Sequence, residues 1–239
     1  MEYFNNKLVI LVLTCKRPYY EQRLQKNSET FETLANLGVI VYCYANPALK
    51  EITLQKHNTS YELEVPCLEN YNNLSNKISL AYHYFSKTNC KGVLKIDDDA
   101  KIISPSIFQK ELMDLVSKYD YFGVSERTIL KRDGFLKYNT GANFIDHVYE
   151  NIYHKIDYNI HYFEGPFYFV SKKALLAINK VGISILYEDV AVGYILTGYP
   201  DIKTFLWKNM FGSHIIWNDK DREPQVPQLA AINPPVANP

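Results

Sequence analysis

Apolar and polar positions follow two different periods along this chain, and together they predict strands interleaved with helices. Continuous apolar runs at residues 7–13, 39–44 and 92–96 are typical of strands buried in a parallel sheet. Residues 70–87 carry apolar side chains three or four positions apart, which gives a helix one apolar face. This face consists of Tyr71, Leu74, Ile78, Ala81, Tyr82 and Phe85.

Weaker patterns extend the same order in both directions. A polar helical segment is predicted from Pro18 to about Leu37, followed later by a short third strand at residues 61–65. Ser104 and Pro105 open another helix, whose buried side is predicted to be Ile107, Leu112, Leu115 and Val116. The other predicted elements are strands at residues 120–124, 162–170 and 204–207 and helices at residues 172–180 and 188–196. Residues 125–160 have no clear period and are predicted to be irregular with short elements.

Strands that alternate with helices indicate an α/β fold with a mixed, mostly parallel sheet flanked by helices. The 239 residues are enough for one domain with a full hydrophobic core, which we expect to occupy residues 1–218. After Trp217 the composition changes to charged residues, prolines and small residues. Residues 219–239 are therefore predicted to form a disordered, proline-rich tail.

Charge and cysteine content exclude several classes of protein. Lys and Arg together number 26, as do Asp and Glu, so there is no basic excess for binding nucleic acid or an anionic membrane. The four cysteines include no CxxC pair, which indicates neither a zinc site nor a disulfide framework. The first apolar run is too short to span a bilayer, so we expect a cytoplasmic protein, in the host cytoplasm if the source is viral.

Three consecutive carboxylates, Asp97, Asp98 and Asp99, follow the apolar strand at residues 92–96. Like charges in a row repel one another, so a bound cation would explain the arrangement, and hard divalent ions prefer oxygen ligands. Asp97 and Asp99 are two positions apart and point the same way in an extended segment. The triplet is therefore typical of a site for a metal ion and a diphosphate, although an exposed acidic turn would also account for it.

Four short motifs occur in a fixed order. They are Glu-Asn-Tyr-Asn-Asn-Leu-Ser-Asn-Lys at 69–77, Lys-Ile-Asp-Asp-Asp at 95–99, Gly-Pro-Phe-Tyr-Phe-Val-Ser at 165–171 and Tyr-Glu-Asp-Val-Ala-Val-Gly at 187–193. Together they resemble the β-1,3-glycosyltransferases of the galactosyltransferase/Fringe group over residues 63–198. Departures from the family pattern occur at Glu164, Ser75, Pro166 and Phe167, and they concern the acceptor and the donor sugar more than the reaction class.

The resemblance implies a GT-A fold, a UDP-sugar donor and Mn²⁺ or Mg²⁺, with the sugar moved to a hydroxyl of a glycan or other acceptor. Asp99 matches the metal-binding position, Asp97 matches the first member of the Asp-x-Asp pair near the ribose or the metal, and Asp98 faces backbone or nucleotide. His214 lies where the family often supplies a late histidine to the metal. A half-buried structural histidine is the alternative for that residue.

The resemblance also implies an inverting reaction, in which Asp189 is the base that takes the proton of the acceptor hydroxyl. A carboxylate in the first turn of a helix is also favoured for structural reasons alone. Glu164 is an alternative base or an acceptor contact. Three further residues are candidate donor contacts, namely Arg17 for the diphosphate or uracil, Lys77 for the phosphates and Gly165 for close approach of the backbone to the sugar. Lys77 could instead brace the aspartate loop, and Gly165 could belong to a bulge.

Two other functions remain open from the sequence. A nucleotidyltransferase that makes sugar nucleotides would also use a metal site on such a sheet, but it usually has a glycine-rich basic loop after its first strand. Residues 14–18, Thr-Cys-Lys-Arg-Pro, contain no glycine. A catalytically inactive GT-A-like protein that binds a glycan or nucleotide is the other alternative, because a fold does not guarantee turnover.

Overall fold

The computed structural model describes residues 2–70, 73–129, 160–183, 188–208 and 210–217. In this part of the chain the strands are β1 (Leu8–Leu13), β2 (Gly38–Ala45), β3 (Thr53–His57), β4 (Ser60–Val65), β5 (Gly92–Asp97), β6 (Ala100–Ile102), β7 (Tyr121–Gly123), β8 (Glu126–Ile129), β9 (Ile160–Phe163), β10 (Phe167–Ser171), β11 (Thr204–Leu206) and β12 (Ile215–Trp217). The helices are α1 (Pro18–Lys26), α2 (Ser28–Ala35), α3 (Leu74–Ser86), α4 (Pro105–Lys118), α5 (Lys172–Val181) and α6 (Glu188–Thr197).

Eight of these strands form one sheet in the order β11-β7-β10-β5-β1-β2-β4-β3. Four of its neighbouring pairs are parallel, and the antiparallel pairs involve β10 and β3. The pairs β6–β12 and β8–β9 form two small sheets beside it. The predicted α/β fold with a mixed, mostly parallel sheet flanked by helices is confirmed.

The central strand β1 is buried on both faces, which explains its continuous apolar sequence. Successive side chains of a strand point to opposite faces, so Val9 and Leu11 pack on the side of α3 and α5. Ile10 and Val12 pack on the other side, with residues of α2 and α4. Each fully buried side chain of this kind stabilises the fold by about 1.5–3 kcal/mol, and the sheet thus separates two hydrophobic cores.

Local sequence signals set several helix ends where the sequence predicts them. Pro18 is the first residue of α1, and Pro105 is the first residue of α4, as suits a residue without a backbone N–H. Ser171 ends β10 and caps α5, because its Oγ accepts a hydrogen bond of 3.2 Å from the backbone N–H of Ala174. Within the described residues, no helix combines the length and apolar character that crossing a membrane requires.

The structure corrects three of the predicted elements and adds short strands that were not predicted. In α4 the buried residues are Phe108, Leu112 and Leu115, whereas Ile107 is 47% exposed because it lies on the other side of the helix. The strand predicted at 162–170 is two strands, β9 and β10, separated by a turn at residues 164–166. The polar segment after β1 is two helices, α1 and α2, that meet at Asn27. The short strands β3, β6 and β12 were not predicted, because they have little apolar periodicity.

Part of the predicted irregular segment at 125–160 forms β8, while residues 130–159 lie outside the described residues. The predicted tail at 219–239 also lies outside them. The proposed boundary between domain and tail therefore stays a prediction.

Candidate functional site

The topology gathers the predicted acidic residues at one edge of the sheet. β1 and β5 run parallel with Leu13 opposite Asp97, so the aspartate triplet lies beside the loop that leads into α1. β10 runs antiparallel to β5 with Phe167 opposite Ile96, which brings the turn at residues 164–166 to the same edge. The backbone N–H of Asp97 donates a hydrogen bond of 3.0 Å to the carbonyl of Pro166 and joins the turn to the triplet.

A buried lysine lies at the centre of this edge. Lys95 Nζ is 2.6 Å from Asp97 Oδ1 and 3.5 Å from Glu188 Oε1, and it also donates to the carbonyl of Gly165. Its side chain is 1% exposed. Burial alone would lower the pKa of Lys95, but Asp97 and Glu188 outweigh burial and raise it. The charged ammonium group therefore connects the strand end, the turn and the start of α6.

An arginine pairs with the other two aspartates of the triplet. Arg23, in α1, places its Nη2 2.9 Å from Asp98 Oδ1 and 2.7 Å from Asp99 Oδ2. Asn27 Nδ2 donates to the backbone carbonyl of Asp98 at 2.9 Å. Burial raises the pKa of the Asp98 carboxyl group to about 7, and Arg23 opposes this shift only in part. One guanidinium group thus compensates the buried negative charge incompletely.

The first turn of α6 supplies the remaining two carboxyl groups. Asp189 accepts hydrogen bonds from the backbone N–H of Val190 at 2.8 Å and from that of Gly165 at 3.1 Å. Burial raises the pKa of Asp189, and burial raises that of Glu188 to about 7 even though Lys95 is close to it. A Cβ at Gly165 would lie 3.0 Å from Glu188 Oε1, so the close approach of turn and helix favours glycine here.

Lys77 and Arg17 meet at Glu69, on the other side of the loop that follows β1. The buried Lys77 Nζ donates to the carbonyl of Thr14 at 2.6 Å and to both carboxylate oxygens of Glu69 at 3.0 and 2.9 Å. Glu69 also accepts from the backbone N–H of Ala45, and Arg17 donates to the Glu69 carbonyl at 3.2 Å. Lys77 therefore braces the loop in this structure, and the predicted contacts of both residues with a donor stay predictions.

His214 lies next to β12, where its backbone carbonyl accepts a hydrogen bond of 2.7 Å from the N–H of Ile103. Its Nδ1 is buried and has no hydrogen-bond partner. Over the described ranges, no group of three or more His, Cys, Asp or Glu side chains has an arrangement that could hold a metal ion. Asp97, Asp99 and His214 therefore do not form such a group, and the role of His214 as a metal ligand stays a prediction.

The donor set at the triplet nevertheless fits a divalent ion that substrate phosphates complete. Asp98 Oδ2 and Asp99 Oδ1 are buried and without a hydrogen-bond partner, as are Arg23 Nε and the hydroxyl of Tyr19 beside them. Native proteins rarely leave buried polar atoms unpaired, so a concentration of them is compatible with a bound ligand. Mg²⁺ is usually bound through one or two carboxylates together with phosphates and waters, which matches these oxygens.

The two cations of the site, Lys95 and Arg23, are not among the residues predicted from the sequence. Lys95 belongs to one of the quoted motifs but received no role, and Arg23 was not singled out. The negative charge of the triplet could have indicated that such cations exist, because three adjacent carboxylates at a buried strand end require a positive partner. Arg23 lies in the helix that follows the neighbouring strand β1.

An open groove of about 570 Å³ lies at the opposite end of the sheet, near the start of α5. Ser171 pairs with Gly92, the first residue of β5, whereas the aspartates follow the last residues of that strand. Lys173 at this groove forms an ion pair of 2.9 Å with Asp201. The groove is therefore separate from the cluster of carboxyl groups.

No protein-family model matches this chain, and no curated protein matches it. Among solved structures, it is similar to Rv0371c from Mycobacterium tuberculosis H37Rv, with 9% identity, a TM-score of 0.45 and coverage of 85% of this chain and 89% of the other. It is also similar to a glycosyltransferase involved in the glycosylation of the major capsid of PBCV-1, with 13% identity, a TM-score of 0.46 and coverage of 88% and 93%. Both likenesses are too distant to carry a function over, so a function has to be inferred from this chain's own side chains.

Proposed function

We propose that this protein is an inverting glycosyltransferase that moves a sugar from a nucleoside diphosphate sugar, namely a UDP-sugar, to a hydroxyl group of a glycan or other acceptor. One observation carries the proposal. Gly165 links two acidic groups, because its carbonyl accepts from Lys95, the partner of Asp97, and its N–H donates to Asp189. The aspartate triplet, which we propose holds a metal ion against the donor diphosphate, and Asp189, which we propose accepts the proton, are thus fixed relative to each other.

Asp189 has the properties of a general base. Its two backbone hydrogen bonds hold the carboxylate in one orientation, and a carboxylate has about four acceptor positions, so acceptor capacity remains. Burial raises its pKa, which strengthens it as a base near neutral pH. In the proposed step the acceptor oxygen forms a bond to the anomeric carbon, the bond from that carbon to the diphosphate oxygen breaks, and the hydroxyl proton goes to Asp189.

The aspartate triplet would lie on the side of the leaving diphosphate. A divalent ion bound there, held by Asp99 with Asp98 or Asp97, would supply positive charge for the leaving group. Lys95 pairs with both Asp97 and Glu188 and so holds the strand end next to the start of α6. Gly165 leaves space at the turn for the sugar between the two acidic groups, since a side chain there would crowd Glu188.

The proposal is tested by measuring release of UDP from a panel of UDP-sugars with Mn²⁺ and a panel of acceptors. We expect Asp189→Asn to retain UDP binding but to lose at least 100-fold in transfer, since a positioned base contributes 10²–10⁴-fold. Asp201→Asn, which removes an exposed carboxylate near the groove at the opposite end of the sheet, is the matched control and should keep full activity.

Two results would contradict the proposal. Pyrophosphate release from a nucleoside triphosphate and a sugar phosphate would assign the site to a nucleotidyltransferase instead. Stabilisation by UDP without transfer from any donor to any acceptor would assign it to a binding protein. If Asp189→Asn loses UDP binding rather than transfer, Asp189 belongs to the donor site and is not the base.

A further inference from the structure

Arg23 contacts the acidic triplet where a divalent ion would also be attracted. Its Nη2 lies within 2.9 Å of Asp98 and 2.7 Å of Asp99, and its side chain is 15% exposed. The guanidinium group also lies over the rings of Tyr19 and Tyr20, at 5.6 and 5.5 Å from their centroids. Aromatic rings on the same helix thus hold the arginine in this position.

The contact leaves part of the triplet unsatisfied. Three buried atoms here have no hydrogen-bond partner, namely Asp98 Oδ2, Asp99 Oδ1 and Arg23 Nε. The Asp98 side chain is only 4% exposed, so water has little access to it. A guanidinium group offers five N–H donors, and here its Nη2 is shared between two carboxylates. Arg23 therefore engages one oxygen of each aspartate and leaves the other oxygen of each without an ion-pair partner.

We propose that Arg23 is a built-in counter-ion of the triplet, which holds Asp98 and Asp99 together in the free protein and gives up Asp99 when a divalent cation binds with a diphosphate. The inference rests on the proposed function, because a nucleoside diphosphate supplies phosphate ligands for the metal and a new anionic partner for the guanidinium group. Arg23 repels an incoming cation until phosphates arrive, so the metal alone binds weakly and the metal and the nucleotide bind together. Arg23 is accordingly a positioning residue.

The decisive measurement is the affinity for Mn²⁺ without nucleotide, obtained from the electron paramagnetic resonance signal of free Mn²⁺. We expect Arg23→Gln to bind Mn²⁺ at least tenfold more tightly than the unaltered protein, because a like charge a few ångströms away is removed from a partly buried site. Lys26→Gln removes one positive charge from an exposed position of the same helix and should change the affinity less than threefold.

A second variant keeps the test decisive if Arg23→Gln folds poorly. Arg23→Lys keeps the charge but loses the planar fork that holds both aspartates, so it should bind Mn²⁺ more than threefold more tightly than the unaltered protein and less tightly than Arg23→Gln. We also expect UDP to increase Mn²⁺ affinity by a smaller factor in Arg23→Gln than in the unaltered protein. The proposal would be overturned if Arg23→Gln bound Mn²⁺ no more tightly than Lys26→Gln does. If Arg23→Gln does not fold, the same comparison is made with Arg23→Lys.

These titrations separate the counter-ion role from the proposed function. The Mn²⁺ measurement contains no sugar donor, so its outcome does not depend on sugar transfer. Tighter Mn²⁺ binding by Arg23→Gln together with no UDP release from any donor would support the role of Arg23 and reject the transferase. UDP release by the unaltered protein together with an unchanged Mn²⁺ affinity of Arg23→Gln would support the transferase and reject the role of Arg23.

Discussion

Replacing Lys95 by Met removes the buried ammonium group between Asp97 and Glu188 while keeping an unbranched side chain of similar length. Lys95 Nζ lies 2.6 Å from Asp97 Oδ1, and the lysine side chain is 1% exposed. Without this cation, two carboxyl groups at the strand end and at the start of α6 lose their shared partner. Removing one partner of a buried ion pair costs about 3–5 kcal/mol.

The chain contains a matched comparison. Lys118 Nζ also lies 2.6 Å from a carboxylate oxygen, that of Asp114, but the two side chains are 58% and 56% exposed. An exposed pair four residues apart on a helix contributes about 0.3–0.5 kcal/mol. Lys118→Met should therefore cost at most about 0.5 kcal/mol, although the distance in the two pairs is the same.

Urea denaturation of both variants measures the difference. With an m-value of about 3 kcal/mol/M, Lys95→Met should lower the midpoint by roughly 1–1.7 M, and Lys118→Met should lower it by less than about 0.2 M. Adding Glu188→Gln to Lys95→Met removes a carboxylate that has lost its partner and should recover about 1 kcal/mol or more. Equal losses in the two lysine variants would refute the central role of Lys95, and strict additivity would refute its pairing with Glu188.

Three further predictions concern the same fold. Burial raises the pKa of Glu188 from its ordinary 4.5 to about 7, so its contribution to stability is complete below about pH 4.5 and is lost as the pH rises through 7. Glu188→Gln should therefore reduce the fall in melting temperature between pH 5 and 8. Gly193→Ala should cost about 2–3 kcal/mol in urea denaturation, because its Cβ would lie 2.4 Å from the backbone carbonyl of His161. Tyr82→Phe should cost about 1–2 kcal/mol by leaving the buried hydroxyl of Tyr168 without its 3.0 Å partner, and adding Tyr168→Phe should recover part of this.

The sequence predicts the fold best where burial imposes a period. β1 and β5 are buried along nearly their whole length and β2 along half of it, and the predicted apolar runs match all three strands to within one residue at either end. The apolar face predicted for α3 is confirmed at Ile78, Ala81, Tyr82 and Phe85, which are all buried. Leu74 is only half-buried, and Tyr71 lies outside the described residues. Short strands such as β6 and β12 cannot be predicted in this way. Each has only three residues and pairs with the other outside the main sheet, so neither shows a period of apolar residues.

The turn at residues 164–166 shows a different limit. The apolar residues on both sides of it suggested one continuous strand, yet the chain turns there to bring Gly165 between Lys95 and Asp189. Glu164 and Pro166 both depart from a strand pattern, and together with the glycine they are the local signs of the turn. The sequence does not show why the chain turns here, because Lys95 and Asp189, the partners of Gly165, lie 70 and 24 residues away along the chain.

The candidate site illustrates why residue type and spacing predict carboxylates better than their partners. Asp97, Asp98 and Asp99 are adjacent in sequence, so their mutual repulsion can be inferred without a structure. The two cations that compensate them come from the interior of β5 and from the helix after β1, and only the parallel pairing of those strands brings them together. Because Lys95 and Arg23 satisfy only some of the carboxylate oxygens, the remaining ones define where an incoming ligand would be bound. The chemistry of the site thus depends on how far the protein's own cations neutralise the triplet, and measurements on Lys95 and Arg23 test that dependence directly.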